Sequence, residues 1–318
     1  MKSVKDFLLG GKDFLLISHK GPDGDAVGAM LGLGLALKGT GKNVTFYNTD
    51  PIPKHLNFLP FVGGIENSLA NFTGDTVVAV DSSDLERLGD AFQKLYAKKK
   101  FKLINIDHHE TNTRYGDAFL IEPNFSSTCE VIYDLLKTLN WDITPEIATS
   151  LFCGIVADTG SFKYRNTTAK VLRMAAQLVD SGAHPENISQ RLFDIYPASR
   201  ILLLKRVLQS LRFDCQNRVA SVVVTENDLA ATGASIDASE GFVEILRGIE
   251  GVQVSVLAKE QKDGNVKIST RSKDNIDVAA VTKLFGGGGH RVAAGATLPG
   301  PVNEALGKFI KEVSKHLK

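Results

Sequence analysis

His19, Asp23 and Asp25 fall in one short stretch, H-K-G-P-D-G-D. Carboxylates this close repel, and each favours protonation of the other, so a bound cation is the simplest relief. The same residue types recur downstream: Asp81 in V-A-V-D-S-S-D, the run Asp107-His108-His109, and Asp158 in A-D-T-G-S-F. Each has an ordinary explanation when taken alone. Asp23 and Asp25 suit a turn and a helix N-cap, Asp81 a cap for the next helix, His108 and His109 a loop contact, and Asp158 a C-terminal loop. Independent caps have no reason to gather with histidines at strand ends. The joint pattern therefore reads as metal ligation.

None of these candidates is cysteine, and carboxylates outnumber imidazoles. That donor set favours hard-to-intermediate octahedral ions, Mn2+ first and Mg2+ second, with Co2+ or Zn2+ as substitutes in vitro. So many carboxylates exceed the needs of one ion, and two ions sharing a bridging carboxylate follow. Such a pair makes hydroxide at neutral pH and steadies the entering and leaving oxygens of in-line attack on phosphorus.

The elements that position these residues are legible in the apolar pattern. Phe14–Ser18, Val44–Tyr47, Thr76–Val80 and Lys102–Ile106 read as strands, and Ala26–Lys38 and Leu85–Ala97 as helices between them. Continuous apolar strands with helical crossovers predict an α/β domain, a parallel sheet with helices on both faces. Ligands then bind at the carboxyl ends of the strands, where His19, Asp81 and Asp107-His108-His109 emerge. Ser126-Ser127-Thr128 opens a helix to about Leu139, and Thr144-Pro145 opens another as N-cap and first helical residue. Asp158 ends that helix beside Gly160, at the negative end of its dipole, which a cation would offset. Helices also fit Thr168–Val179, Pro185–Phe193 and Ser199–Leu211.

Strand signals return from Arg218 in R-V-A-S-V-V-V-T, G-V-Q-V-S-V-L-A-K and N-V-K-I-S-T-R, with helices over Glu240–Ile249, Val278–Phe285 and Val302–His316. The expected organisation is a metal-binding domain over 1–195, a helical connection over 196–214 and a smaller α/β domain over 215–318, since no Gly/Ser-rich linker intervenes. In that second domain Gly286 to Gly289 precede His290 and Arg291. Consecutive glycines let backbone N–H groups approach an anion, and Arg271 with Lys273 could grip a phosphate. The competing reading is a helix stop followed by a turn. Two phosphate-motif lookalikes fail: G-T-G-K-N over 39–43 lacks the hydroxyl and first glycine of a P-loop, and G-A-M-L-G-L-G over 28–34 falls inside a helical pattern.

Composition narrows the classes further. The chain has 318 residues, 43% hydrophobic and 23% charged, with a net charge of +1, as expected of a soluble protein with no broad attraction to long duplex nucleic acid or a membrane surface. Cys129, Cys153 and Cys215 are odd in number and lack C-x-x-C spacing, consistent with a reducing cytoplasm. The N-terminal apolar stretch is too short for a signal-peptide core, and the Lys98-Lys99-Lys100 run reads as solvated surface.

The four acidic motifs, in order, resemble those of the DHH phosphoesterase superfamily, which includes RecJ-type exonucleases and family II inorganic pyrophosphatases. I-S-T-R-S-K-D-N-I-D-V-A-A-V and F-G-G-G-G-H-R-V-A-A-G-A resemble its DHH-associated C-terminal domain, and the two-domain length is similar to the nanoRNase and pAp phosphatase type. The resemblance implies that His19, Asp23 and Asp81 hold one ion and Asp25, Asp81, His108 and Asp158 the other, with Asp81 bridging. It implies that Asp107 orients His108, that His109 contacts the scissile phosphate, and that Arg271, Ser272, Gly287, Gly288, Gly289 and His290 bind a nucleotide across an interdomain cleft. The implied activity is Mn2+-dependent hydrolysis of short oligoribonucleotides and of the 3′-phosphate of pAp. A phosphodiesterase for linear dinucleotides such as pApA, an exopolyphosphatase-like hydrolase and a non-catalytic nucleotide sensor are the rivals. A homodimer is also expected by resemblance.

Overall fold

The computed structural model describes residues 3–69, 72–98, 100–273 and 276–317. Lys99 of the lysine run, and Asp274 and Asn275 of the later motif, lie outside the described residues. The chain divides into two compact units, Met1–Ile195 and Tyr196–Lys318.

The first unit runs α1 (Val4–Gly10), β1 (Asp13–Ile17), α2 (Gly24–Gly39), β2 (Asn43–Tyr47), β3 (Ile65–Glu66), β4 (Thr76–Val80), α3 (Asp90–Ala97), β5 (Lys102–Asp107), β6 (Ala118–Ile121), α4 (Thr128–Leu139), α5 (Pro145–Asp158), α6 (Ala169–Asp180) and α7 (Pro185–Ser189). Its sheet has the order β3-β2-β1-β4-β5-β6 with parallel pairing throughout. Alternate strand residues bury on opposite faces. Phe14, Leu16, Val78, Val80, Ile104 and Ile106 meet α2, α4 and α5, whereas Leu15, Ile17, Val77, Ala79 and Leu103 meet Phe92 of α3. This is the doubly wound arrangement, and its strand order reverses between β1 and β4, the position at which such sheets bind ligands.

Helix α2 explains the rejected glycine motif. Gly24, Gly28 and Gly32 form a stripe against α5, and a methyl group at Gly28 would lie 2.4 Å from the Ser150 carbonyl. The glycines permit close helix packing rather than a phosphate turn. Gly28→Ala must push two buried helices apart, so it is expected to lower unfolding free energy by at least about 1–3 kcal/mol, read as a shifted denaturant midpoint.

Where a single helix was expected over Leu85–Ala97, Gly89 at φ 88° divides a short 3-10 turn (Glu86–Leu88) from α3. The expected helix over Pro185–Phe193 likewise becomes α7 and a wider turn over Gln190–Asp194.

The second unit runs α8 (Ala198–Leu208), β7 (Arg212–Asp214), β8 (Val219–Val224), α9 (Glu226–Thr232), α10 (Phe242–Arg247), β9 (Val254–Glu260), β10 (Asn265–Ser272), α11 (Val278–Lys283), β11 (Gly288–His290), β12 (Ala293–Pro299) and α12 (Val302–His316). Its mixed sheet has the order β11-β12-β10-β9-β8-β7. Helices α11 and α12 cover one face, and α8 and α10 the other. Leu203 and Val207 of α8 are buried against Ala220, Val222 and Phe242. The stretch expected as a helical connection over 196–214 falls within the second unit. No helix among the described residues is long and apolar enough to cross a membrane.

Candidate metal centre

Strand register places the acids. Ile17 pairs with Ala79 and Val80 with Ile106, so His19, Asp81 and Asp107 leave neighbouring strands at one level. Asp81 takes φ 56°, a left-handed conformation rare for a residue with a side chain. That strain at a strand end points to function. Its Oδ2 lies 3.5 Å from His19 Nε2, and its Oδ1 lies 3.8 Å from His108 Nε2 and 3.6 Å from His109 Nδ1.

Asp25 enters from the first turn of α2 and is fully buried. Its oxygens accept hydrogen bonds from the backbone N–H groups of Thr128 (2.6 Å) and Cys129 (2.9 Å), the first residues of α4. A helix N-terminus therefore offsets part of its charge. The Thr128 hydroxyl also donates to Asp81 Oδ1 at 2.9 Å. Gly154 of α5 is needed here, because a methyl group on it would sit 2.6 Å from Asp25 Oδ1 and 2.3 Å from Cys129 Sγ. Asp23 caps α2 with Oδ1, as its type suggests, and still belongs to the cluster. Asp158, the last residue of α5, reaches His108 Nε2 at 3.2 Å.

Among the described residues, three groups have ligand atoms mutually within 4.8 Å: His19, Asp23 and Asp81; Asp25, His108 and Asp158; and Asp81, His108 and His109. Asp81 joins the first to the third, and His108 the third to the second. Histidine orientation separates the roles. His19 Nδ1 pairs with the Lys20 carbonyl (2.9 Å) and His108 Nδ1 with the Phe125 carbonyl (3.3 Å), so each presents Nε2 to the carboxylates. A ring whose far nitrogen donates to a carbonyl has the tautomer suited to metal. His109 differs, because its Nδ1 is held by Asp107 Oδ1 at 2.7 Å.

That contact corrects one expectation. Asp107 does not orient the His108 ring; it bonds the His108 backbone N–H (2.8 Å) and the His109 ring. Its other oxygen accepts from Asn112 at 2.6 Å, and the Asn112 amide also reaches Asn105 of β5. Sequence reasoning passed over Thr128, Asn105 and Asn112. The Ser126-Ser127-Thr128 helix opening was the available signal for the first; buried asparagines give none.

The electrostatics are those of crowded anions. Burial would lower the His19 pKa, but the hydrogen bond and charge of Asp81 override it and raise it to about 9. Burial works against His108 and His109 as well, yet contacts with Asp158 and Asp107 respectively raise them. Burial, then Asp81 and Asp158, pushes Asp25 well above the carboxylate range, and burial raises Asp158 to about 6. Against its own burial, Asp81 is held well below that range by its histidine neighbours. Positive charge is demanded at this point of the fold.

In the second unit the expected nucleotide residues fare unequally. Arg271 Nε is paired with Glu244 Oε1 at 2.8 Å, and Lys273 Nζ is on the Ile249 carbonyl at 3.0 Å. The Ser272 hydroxyl is turned inward to the Ile276 carbonyl at 2.7 Å, on a buried residue. Part of the glycine run is strand. Gly286 at φ 71° follows α11, and Gly288, Gly289 and His290 form edge strand β11 against β12. A methyl group at Gly287 would meet the Gly295 carbonyl at 2.2 Å. Gly288 and Gly289 with His290 are exposed.

A doubly wound sheet with clustered Asp and His at its switch point defines a class, and the chain belongs to the DHH family: the DHH family N-terminal domain matches residues 13–155 and the DHHA1 domain residues 216–318. Its relatives include the bifunctional oligoribonuclease and PAP phosphatase NrnA of Thermus thermophilus, 36% identical over 304 residues, covering 95% of this chain and 89% of that protein. The Bacillus subtilis protein of the same name is 28% identical over 289 residues, covering 89% and 88%. Among solved structures, an exopolyphosphatase-related protein from Bacteroides fragilis superposes with TM-score 0.92 at 26% identity, covering 98% of this chain and 94% of that one.

Proposed function

We propose that the chain is a divalent-metal phosphoesterase that hydrolyses short oligoribonucleotides and removes the 3′-phosphate of pAp. The observation that carries this reading is the Asp81 carboxylate, placed between His19 on one oxygen and His108 on the other. The substrate assignment is taken from the names of the NrnA relatives.

The residues fit a pair of hard cations. Their donors are carboxylate oxygens and imidazole nitrogens; the nearby Cys129 thiol is directed at the Asp25 carbonyl at 3.7 Å. His19, Asp23 and Asp81 would hold one ion, and Asp25, Asp81, His108 and Asp158 the other, with Mn2+ the best match. When bound, such ions supply an activated water and neutralise charge on phosphate oxygens. The protein contributes orientation. Thr128 and Cys129 fix Asp25, Thr128 fixes Asp81, and Asp107 holds His109 by Nδ1 so that Nε2 can donate a proton to a phosphate oxygen. In the second unit, Arg271, Gly288, Gly289 and His290 remain the residues we assign to the nucleotide.

Turnover of pAp, a ribodinucleotide, pApA, polyphosphate and pyrophosphate, side by side in Mn2+, tests the assignment. Cleavage of the first two fastest supports it; cleavage of polyphosphate or pyrophosphate alone contradicts it.

Two further outcomes follow. Thr128→Val keeps the shape and removes the hydroxyl, and is expected to weaken cation binding about 10–100-fold, with Thr128→Ser close to wild type in the same titration. The second concerns pH. With the His19 pKa raised to about 9, cation uptake displaces a proton throughout pH 7–8. Apparent Mn2+ affinity is expected to rise at least about tenfold per pH unit there. For the metal-free fold the sign reverses: the stabilisation from charged His19 is complete below its ordinary pKa near 6.5 and is lost as pH rises through about 9. Thermal scans with and without Mn2+ at pH 6.5 and 9 would show the two trends diverging.

A further inference from the structure

We infer that Tyr164 is a stacking platform for the nucleobase of the substrate, an inference that rests on the nucleotide reading above. Six residues past Asp158, Lys163, Tyr164 and Arg165 are all exposed, and Tyr164 retains 41% of its accessible surface. A single exposed aromatic needs no explanation. What sets this one apart is the turn that carries it.

Gly160, Ser161 and Phe162 take φ of 56°, 59° and 61°, three successive left-handed residues of which two bear side chains. Strain of this kind persists only where the surroundings enforce it. Thr159, next to Asp158, does so: its carbonyl accepts the N–H groups of Lys163 and Tyr164, each at 3.0 Å, and its hydroxyl accepts that of Phe162 at 3.1 Å. The Phe162 ring packs edge-on against Phe152, and Asn166 bonds the Asp158 carbonyl at 3.1 Å. The phenol lies directly across Gly160, where a methyl group would come 2.3–2.6 Å from Cζ, Cε2 and Cε1. Glycine is required there for the ring to keep its place.

The result is an exposed aromatic ring backed by peptide, held by the residue adjoining a metal-ligand candidate and flanked by two cations. Aromatic faces stack on any base, and neighbouring cations favour the phosphates, so the arrangement suits an unpaired nucleotide. A phosphate without a base gains nothing from the ring. The platform would therefore favour nucleotides over pyrophosphate or polyphosphate at the same metal centre.

The test compares AMP with ribose 5-phosphate, which has the same phosphate and no base, by calorimetry on the Mn2+-loaded chain. Tyr164→Ala is expected to weaken AMP binding about 5- to 150-fold and to leave ribose 5-phosphate unchanged; Tyr164→Phe and Tyr164→Trp should retain AMP. In turnover, KM for pAp should rise and kcat hold. Equal loss of both ligands, undiminished AMP binding in Tyr164→Ala, or a wild type that does not distinguish AMP from ribose 5-phosphate would each overturn the platform. A wild type that binds AMP through Tyr164 yet cleaves neither pAp nor a ribodinucleotide would instead overturn the proposed activity. Tyr164→Phe, which keeps the ring over Gly160, guards against misfolding in Tyr164→Ala.

Discussion

Asp81→Asn is expected to reduce turnover by about 10³-fold or more, with circular dichroism unchanged. The substitution preserves shape, and the Thr128 hydroxyl can still donate to the retained Oδ1. What it removes is the charge between the two histidines, with His19 at 3.5 Å and His108 at 3.8 Å. Asp81 is the one carboxylate that would serve both ions, so its loss affects both halves of the centre. Wild type should gain about 2.7 kcal/mol of stability at a Mn2+ concentration 100 times Kd, and Asp81→Asn should lose most of that gain. Undiminished turnover in purified Asp81→Asn would falsify the bridging role.

His109→Ala is expected to lower kcat about 10²- to 10³-fold by a different route. The His109 Nδ1 is committed to Asp107 at 2.7 Å, an arrangement that suits the proton-donor role we propose better than ligation. Cation affinity and stoichiometry should then match wild type. Asp107→Asn should follow the same pattern more mildly, since it loosens the ring without deleting it. If Asp107 served the His108 ring instead, Asp107→Asn would weaken cation binding in step with kcat. The split between kcat and metal affinity decides between them.

The catalytic unit was largely legible because its signals are local. Apolar runs such as Thr76–Val80 admit only buried strands, and the acids stand at the ends of those runs, where a doubly wound sheet gathers them. Ser126-Ser127-Thr128 announced the opening of α4, and Thr144 announced α5 as its N-cap. What escaped depends on contacts distant in sequence. Nothing near Thr128 indicates that its N–H meets Asp25, 103 residues earlier. The direction of the Asp107 side chain past two adjacent histidines is likewise set by tertiary packing.

The second unit was harder to read for another reason. Strand β12, A-A-G-A-T-L-P, is rich in alanine and glycine and has a single β-branched residue, Thr297, so it carries little of the composition that marks a strand. Without it, β11 had no visible partner and the glycine run read as an anion cradle or a helix stop followed by a turn. The inward turn of the Ser272 hydroxyl was equally hidden, because it depends on the register of β10 with β9.

Crowded carboxylates that require divalent cations are the centre of this account, and calorimetric titration of Mn2+ into the chelator-stripped chain measures that requirement directly. Two ions per wild-type chain, with uptake severely weakened in Asp81→Asn, is the predicted result. An absence of binding at millimolar Mn2+, or binding untouched by neutralising Asp81, would contradict it.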